Sequence, residues 1–247
     1  MLDLNNLYKG DCLELMKDID DKSIDMILCD LPYEITNCKW DIIIPFKPLW
    51  KQYKRIIKPN GAIVLTASQP FTSLLVNSNI DMFKYSLVWE KTTATGHLNA
   101  KRMPMRAHED VLVFYNNPPT YNPQKTTGHK RKVAVADRAK KLSDVYGSQV
   151  GVTKYDSTER YPRSVIKTTT DKQKSKLHPT QKPVCLFEYF IKTYTNENEI
   201  VLDNCAGSGT TGISSINTNR KYILMEDKQK YCDIIIERIK QRKEEDK

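Results

Sequence analysis

Apolar positions along this chain recur with two periods, and the switches between them outline the elements. The run from Ile24 into Asp30, Ala62–Thr66, Glu199–Leu202 and Lys221–Met225 are short, apolar and bounded by polar or turn residues, so they read as buried strands. Tyr85–Trp89 and Val111–Tyr115 are strand-like as well. A helical period takes over in Phe46–Ile57, where Phe46, Leu49, Trp50, Tyr53, Ile56 and Ile57 share one face. Cys12–Lys17, Pro70–Val76, Pro183–Tyr194, Thr210–Asn217 and Lys228–Lys240 read as further helices. Pro59-Asn60-Gly61 is a turn signal that stops the Phe46–Ile57 helix. Glu34–Ile44 and the polar Thr92–Glu109 read as loops, and Gln241–Lys247 as a charged tail. Strands alternating with helices predict an α/β domain with a largely parallel sheet.

The rhythm breaks once. Asn116–Leu177 is rich in Lys, Thr, Ser, Tyr and Pro, with apolar residues too sparse for a core of its own. The domain reading is therefore one catalytic α/β domain from 1–115 and 178–247, interrupted by a basic insertion at 116–177. Charge sharpens this picture. The chain of 247 residues has a formal net charge of +9, and Pro118–His178 holds 14 Lys/Arg against 5 Asp/Glu, leaving the remainder neutral. With Tyr121, Tyr146, Tyr155 and Tyr161 interleaved, the insertion suits contact with a nucleic acid, cations on phosphates and tyrosines as stacking or anchoring groups; the alternative is a solvated segment. Six scattered cysteines form no Cys-x-x-Cys pair, which argues against a zinc site and a disulfide framework. No signal-peptide pattern and no run of membrane-span length is present, so a reduced, cytoplasmic compartment is expected.

Two stretches carry the chemistry. Asp30-Leu31-Pro32-Tyr33 follows a buried strand, and Pro32 ends that strand because it lacks an N–H and turns Leu31 away from helix. A carboxylate and an aromatic ring are thus presented beyond a strand's carboxyl end, where open α/β sheets bind ligands. Gly207-Ser208-Gly209-Thr210-Thr211-Gly212 fits G-x-G-x-x-G between a strand and a helix, and Glu226 at the end of the next strand can accept ribose hydroxyls. A dinucleotide is the first competitor for such a loop. Asp203, however, would repel a pyrophosphate and suits a cofactor with a cationic sulfonium and an ammonium group, which points to S-adenosylmethionine.

Taken together, Asp30-Leu31-Pro32-Tyr33, His178-Pro179-Thr180-Gln181-Lys182-Pro183 and Leu202–Thr211 resemble three motifs of the DNA amino-methyltransferases. Their order, catalytic motif, basic insertion, cofactor motif, is similar to the permuted β class. The resemblance covers about Tyr8 to Ile239, except 118–177. It implies a Rossmann-like methyltransferase fold with 116–177 as a smaller target-recognition insertion, and S-adenosylmethionine as methyl donor with S-adenosylhomocysteine as product. It implies no metal, double-stranded DNA as partner, no membrane, and leaves room for a homodimer and a companion restriction endonuclease.

Residue by residue, it casts Asp30, Leu31, Pro32 and Tyr33 as catalytic. Asp11, Asp30, Thr180, Lys182, Asp203, Cys205, Ala206, Gly207, Ser208, Gly209, Thr210 and Glu226 are cast as cofactor-binding. Of these, Thr180 and Lys182 would meet the cofactor carboxylate, unless they are plain loop residues, and Asp11 its adenine, unless it is a turn residue. Two departures stand out. Leu31 replaces the usual Pro at a position expected to offer its backbone carbonyl, and Asn204-Cys205 replaces Pro-Phe, removing an aromatic expected near the cofactor adenine.

The implied reaction is methylation of adenine N6, because in this family Asp in the first position of the tetrapeptide goes mostly with adenine. Cytosine N4 stays open. A catalytically silent DNA-binding protein on the same fold, an NAD-dependent oxidoreductase and an RNA-directed variant are the rivals.

Overall fold

The computed structural model describes residues 2–34, 41–137, 142–143, 147–148, 152–168 and 181–245. In chain order the elements are β1 (Asn6–Lys9), α1 (Cys12–Leu15), β2 (Ile24–Cys29), α2 (Phe46–Ile56), β3 (Ile57–Ala67), α3 (Phe71–Ser78), β4 (Phe83–Thr95) and β5 (Arg106–Phe114). They continue as β6 (Lys132–Asp137), β7 (Leu142–Ser143), β8 (Gly147–Ser148), β9 (Val152–Ser157), β10 (Val165–Lys167), α4 (Val184–Tyr194), β11 (Ile200–Asp203), α5 (Thr210–Asn217), β12 (Lys221–Glu226) and α6 (Gln229–Glu244).

The larger of two compact units, Met1–Asn122 with Ser164–Lys247, is built on an eight-stranded sheet ordered β1-β12-β11-β2-β3-β5-β4-β10. All neighbours pair in parallel except those of β5, which is antiparallel to both β3 and β4. Every residue of β2 is buried, as expected for a central strand covered on both faces. Alternation divides its side chains. Ile27 and Cys29 join Ile63, Leu65, Leu49, Tyr53 and Phe71 on one face, while Met26 and Leu28 join Val64, Leu186, Phe190 and Ile191 of α4 on the other.

Several expectations are corrected. Pro59-Asn60-Gly61 does not leave the sheet: β3 starts at Ile57, and these residues form a bulge between the pairs Ile24↔Ile57 and Met26↔Ala62. Thr92–Glu109 is not a loop throughout, because β4 runs to Thr95 and β5 begins at Arg106. The charged tail continues α6 to Glu244. β1 and β10 add a strand at each edge that periodicity did not indicate. Of the expected loop Glu34–Ile44, residues 35–40 lie outside the described residues.

The smaller unit, Pro123–Arg163, contains the antiparallel ribbon β6–β9, with pairs from Lys132↔Ser157 to Asp137↔Val152, and the short pair β7–β8. Arg131 clamps Asp156 bidentately at 2.7 and 2.6 Å across the ribbon, and Lys125 meets Glu159 at 2.9 Å. Val133 and Val135 stay largely exposed. The segments 116–122 and 164–168 of the anticipated insertion belong to the larger unit.

Candidate active site

The sheet positions a ligand crevice by its topology. From β2 the chain passes through α2 to β3 on one side; from β11 it passes through α5 to β12 on the other. The strand order therefore reverses between β2 and β11, which pair at Met26↔Val201 and Ile27↔Leu202, and ligands bind outside the carboxyl ends of strands at such a switch point. Asp30 follows β2 directly, Asp203 ends β11 and Glu226 ends β12.

Asp30 is the hub of a largely buried polar cluster. Its Oδ1 accepts hydrogen bonds from Tyr33 Oη at 2.5 Å and from Thr66 Oγ1, and Lys182 Nζ donates to Oδ2 at 2.7 Å. Tyr33 and Thr66 hydroxyls also lie 2.9 Å apart. Lys182 is shared: its ammonium lies 3.1 Å from Glu109 Oε2, and Glu109 pairs through Oε1 with Lys91. Two carboxylates and two ammonium groups thus balance in a poorly solvated place, where an unpaired charge would be costly. Burial pushes the Lys182 ammonium toward losing its proton, but Asp30 and Glu109 outweigh this and hold its pKa above the ordinary lysine value. Burial likewise pushes Glu109 up, and Lys182 and Lys91 more than reverse it, so its carboxyl sits below the usual range. Tyr33 titrates well above an ordinary phenol, through burial first and the nearby Asp30 and Glu109 charges second.

The tetrapeptide is held from several sides. Asp41 Oδ1 accepts from the backbone N–H of Tyr33 and of Glu34, both at 2.8 Å, fixing the turn after Pro32. The Tyr33 ring stacks on Phe71 at 5.0 Å with planes 24° apart, and Lys182 Nζ lies 5.5 Å from its centroid. Leu31 points into the core beside β2 and α2 and is 3 % exposed, which shows what the leucine side chain does at this position.

Across the crevice, Asp203 shapes the glycine loop from inside. Its Oδ1 accepts from the Cys205 N–H at 3.0 Å and its Oδ2 from Thr211 Oγ1 at 2.5 Å. Burial pushes its carboxyl up to about 6 against the lowering effect of those two donors. Gly207 and Gly209 adopt φ of 54° and 80°, which a side chain would strain. Gly212 lets α5 approach β12, since a Cβ there would lie 2.7 Å from Leu224 Cδ1. Ala206 donates its N–H to Met225 O, and Ser208 is held by Arg238, which donates to its carbonyl and, at 3.2 Å, to its Oγ. Thr210 Oγ1 bonds the Lys182 carbonyl at 3.3 Å, tying the loop to the Asp30 cluster. Glu226 accepts from Gly207 N–H through Oε2 and from Lys228 N–H through Oε1, both at 2.9 Å, and burial raises its pKa.

The sequence-predicted residues fall into three places. Asp30, Tyr33 and Lys182 meet directly; Asp203, Cys205, Ala206, Gly207, Ser208, Gly209, Thr210 and Glu226 form the loop and strand ends beside them. Lys182 is found on Asp30 and Glu109. Asp11 caps α1, accepting from Leu13 N–H at 2.7 Å, just after Gly10 N–H bonds the Glu226 carbonyl. Thr180, with His178 and Pro179, lies outside the described residues. Cys205 shares with Cys12 the amide of Asn204, whose Oδ1 accepts from Tyr53 Oη at 2.5 Å. Sequence reasoning missed Thr66, Phe71, Lys91, Asp41 and Glu109. The only sequence signal for Thr66 was its place at the end of a predicted strand.

This doubly wound sheet, with a carboxylate cluster and a glycine loop beside its switch point, defines an α/β domain with a ligand crevice at the carboxyl ends of its strands. Residues 24–237 match the DNA methylase family (N6_N4_Mtase). The chain is 30 % identical to the Type II methyltransferase M.HinfI of Haemophilus influenzae, over 96 % of this chain and 69 % of that one. It is 25 % identical to the Type II methyltransferase M.HpaI of Haemophilus parainfluenzae, over 94 % and 73 %. Among solved structures, the M1.HpyAVI–SAM complex superposes with a TM-score of 0.64 at 25 % identity, covering 95 % of this chain and 98 % of that one. The cytosine-N4-specific PvuII DNA methyltransferase shares the fold, with a TM-score of 0.68 at 18 % identity and coverage of 94 % and 84 %. The chain belongs to the N6/N4 DNA amino-methyltransferase family.

Proposed function

We propose that this protein transfers a methyl group from S-adenosylmethionine to adenine N6 in double-stranded DNA. The observation that carries the reading is Asp30, held at the switch point by Tyr33, Thr66 and Lys182 with one-fifth of its side chain open to solvent. The residues present fit a phosphate-free nucleoside cofactor. Glu226 at the strand end, with Asp203 buried beneath the glycine loop, disfavours a pyrophosphate, and Glu226 keeps acceptor capacity after its two backbone donors. Glu226 would take the ribose hydroxyls, with Gly207–Thr210 as the cradle and Asp203 fixing that cradle's shape. When bound, the cofactor supplies an electrophilic methyl group on a sulfonium.

The chain's part is to make a poor nucleophile competent. The lone pair of an exocyclic amine is delocalised into its ring. A carboxylate has about four acceptor positions; at Asp30 the Tyr33, Thr66 and Lys182 contacts fill three, and the fourth can accept the N–H of the target amine. With the Leu31 carbonyl as a second acceptor, the nitrogen is drawn toward a pyramidal form whose lone pair faces the methyl group, so positioning and electrostatics carry the acceleration. Lys182 keeps the carboxylate's charge compensated, and Tyr33 on Phe71 offers an aromatic surface for a base swung out of the duplex. The segment 116–177 is proposed as the target-recognition part. A cytoplasmic setting, a homodimer and a companion restriction endonuclease belong to the same proposal. The test is to incubate the protein with mixed-sequence duplex DNA and S-adenosylmethionine and to analyse the nucleosides by mass spectrometry. N6-methyladenine supports the reading; N4-methylcytosine alone replaces the base, and no methylated base rejects it.

A further inference from the structure

Beyond the sheet, β4 and β5 continue as a two-stranded ribbon that no other strand joins among the described residues. The pairing of β5 with β3 ends at Ala67↔Asp110 and that of β4 with β10 at Glu90↔Lys167, while β4 and β5 stay paired through Glu90↔His108 and Thr95↔Arg106. This ribbon leaves from the catalytic edge, since Thr66 in β3 touches Asp30 and Glu109 in β5 touches Lys182. At about 3.4 Å per strand residue, Arg106 stands roughly 10 Å beyond Glu109. The tip is ordered by its own backbone. Gly96 turns at φ 98°, and N–H groups of Asn99, Ala100, Arg102 and Met103 bond Gly96, His97, Asn99 and Asn99 carbonyls at 2.8–3.1 Å. On that tip Leu98 is 100 % exposed and Met103 59 %.

Its charge is one-sided: between Lys91 and Glu109 the sequence has Lys101, Arg102 and Arg106 and no Asp or Glu. Deeper in, the carboxylates Asp30 and Glu109 are balanced by Lys182 and Lys91, whereas Lys101, Arg102 and Arg106 meet no carboxylate among the described residues, so the uncompensated positive charge sits on the hairpin. A backbone-ordered tip that exposes Leu98 and Met103 and bears Lys101, Arg102 and Arg106 with no acidic residue between them is complementary to a polyanion with apolar gaps between stacked rings.

We infer that the hairpin 91–108 is a duplex-DNA contact, with Lys101, Arg102 and Arg106 on phosphates and Leu98 with Met103 entering the stack where the target base is drawn out. The inference rests on the methyltransferase reading for its last clause alone; the phosphate contacts stand or fall by binding. Taking out a base leaves its neighbours unstacked, and apolar side chains that fill such a gap offset part of that cost.

The experiment uses the full chain and a fluorescent mixed-sequence duplex, with affinity measured across a salt series. The variant Lys101→Ala/Arg102→Ala/Arg106→Ala should flatten the log–log salt slope by about 2.7, since each phosphate contact contributes about 0.9. Leu98→Ala/Met103→Ala should leave the slope unchanged and lower duplex methylation by about tenfold. All five positions are exposed or at the ribbon surface, and circular dichroism confirms that both variants fold. A slope unaltered by the triple change overturns the inference. So does methylation within twofold of wild type in the Leu98/Met103 variant, or a change in its mass by light scattering, which would assign the tip to a second copy. If the wild type transfers no methyl group to any DNA, the methyltransferase reading fails, while the salt slope still decides the contact surface.

Discussion

Lys182 donates to Asp30 at 2.7 Å across 152 residues of sequence, joining the segment before α4 to the turn after β2. Because the same ammonium meets Glu109, one buried cation compensates two carboxylates that would otherwise face each other. Lys182→Met should therefore destabilise the fold by about 3–5 kcal/mol, the cost of leaving buried charges unpaired. Urea unfolding measures this, and adding Glu109→Gln should recover part of the loss because one unpaired carboxylate is removed. Additive losses in the double variant would show that the two do not interact.

Tyr33→Phe removes the hydroxyl that donates to Asp30 while leaving the ring on Phe71. Loss of one donor to a charged acceptor is worth about 1.5–3 kcal/mol, so methyl transfer should fall by roughly ten- to a hundredfold. The folded state should be altered less than by Lys182→Met. Steady-state methylation and a thermal melt, run side by side, check both halves.

Asp203 gives a pH signature. Its carboxyl is pushed up to about 6 in the folded protein by burial, against an ordinary 3.8, so the unfolded chain ionises first. Its contribution to stability is fully present below about pH 4, is lost as pH rises toward 6, and is level above that, about 3 kcal/mol in all. Asp203→Asn lacks this titration. The stability of wild type relative to Asp203→Asn should accordingly decline between pH 4 and 6, read from urea midpoints, and a flat difference would refute it.

Gly209→Ala tests the cofactor loop. The residue sits at φ 80°, and a Cβ there would lie 3.0 Å from Ile235 Cγ1. Left-handed backbone strain and the crowding of Ile235 together should cost about 1–3 kcal/mol in urea unfolding. Binding of S-adenosylmethionine by calorimetry should weaken as well, because the strained turn is the one that opens α5.

Much of this was legible in the sequence. Asp30-Leu31-Pro32-Tyr33 and Gly207–Gly212 are local patterns, and their contexts, strand then turn and strand then helix, follow from periodicity over a few residues. The partners of Asp30 were not legible. Thr66 reaches it directly, and Glu109, paired with Lys91, reaches it through Lys182; the register of β2, β3, β5 and β4 brings them there, which no local pattern encodes. The polar ends of β4 and β5 looked like a loop because the ribbon they form buries neither face, so no alternation marks it. Pro59-Asn60-Gly61 is a sound turn signal that the sheet absorbs as a bulge. β1 is four residues long and buries none of them fully, too little for a periodic signal.

The account's central claim is that the Asp30 carboxylate activates the target amine. Asp30→Asn preserves the side chain's size and one acceptor oxygen while removing the charge that Lys182 compensates. The decisive measurement pairs calorimetry of S-adenosylmethionine binding with methyl transfer to duplex DNA for this variant and the wild type. The account expects the S-adenosylmethionine complex still to form and methyl transfer at saturating cofactor to be reduced by about a thousandfold or more, the scale of a lost preorganised electrostatic contact. Transfer at the wild-type rate would contradict it and move the reacting centre away from Asp30.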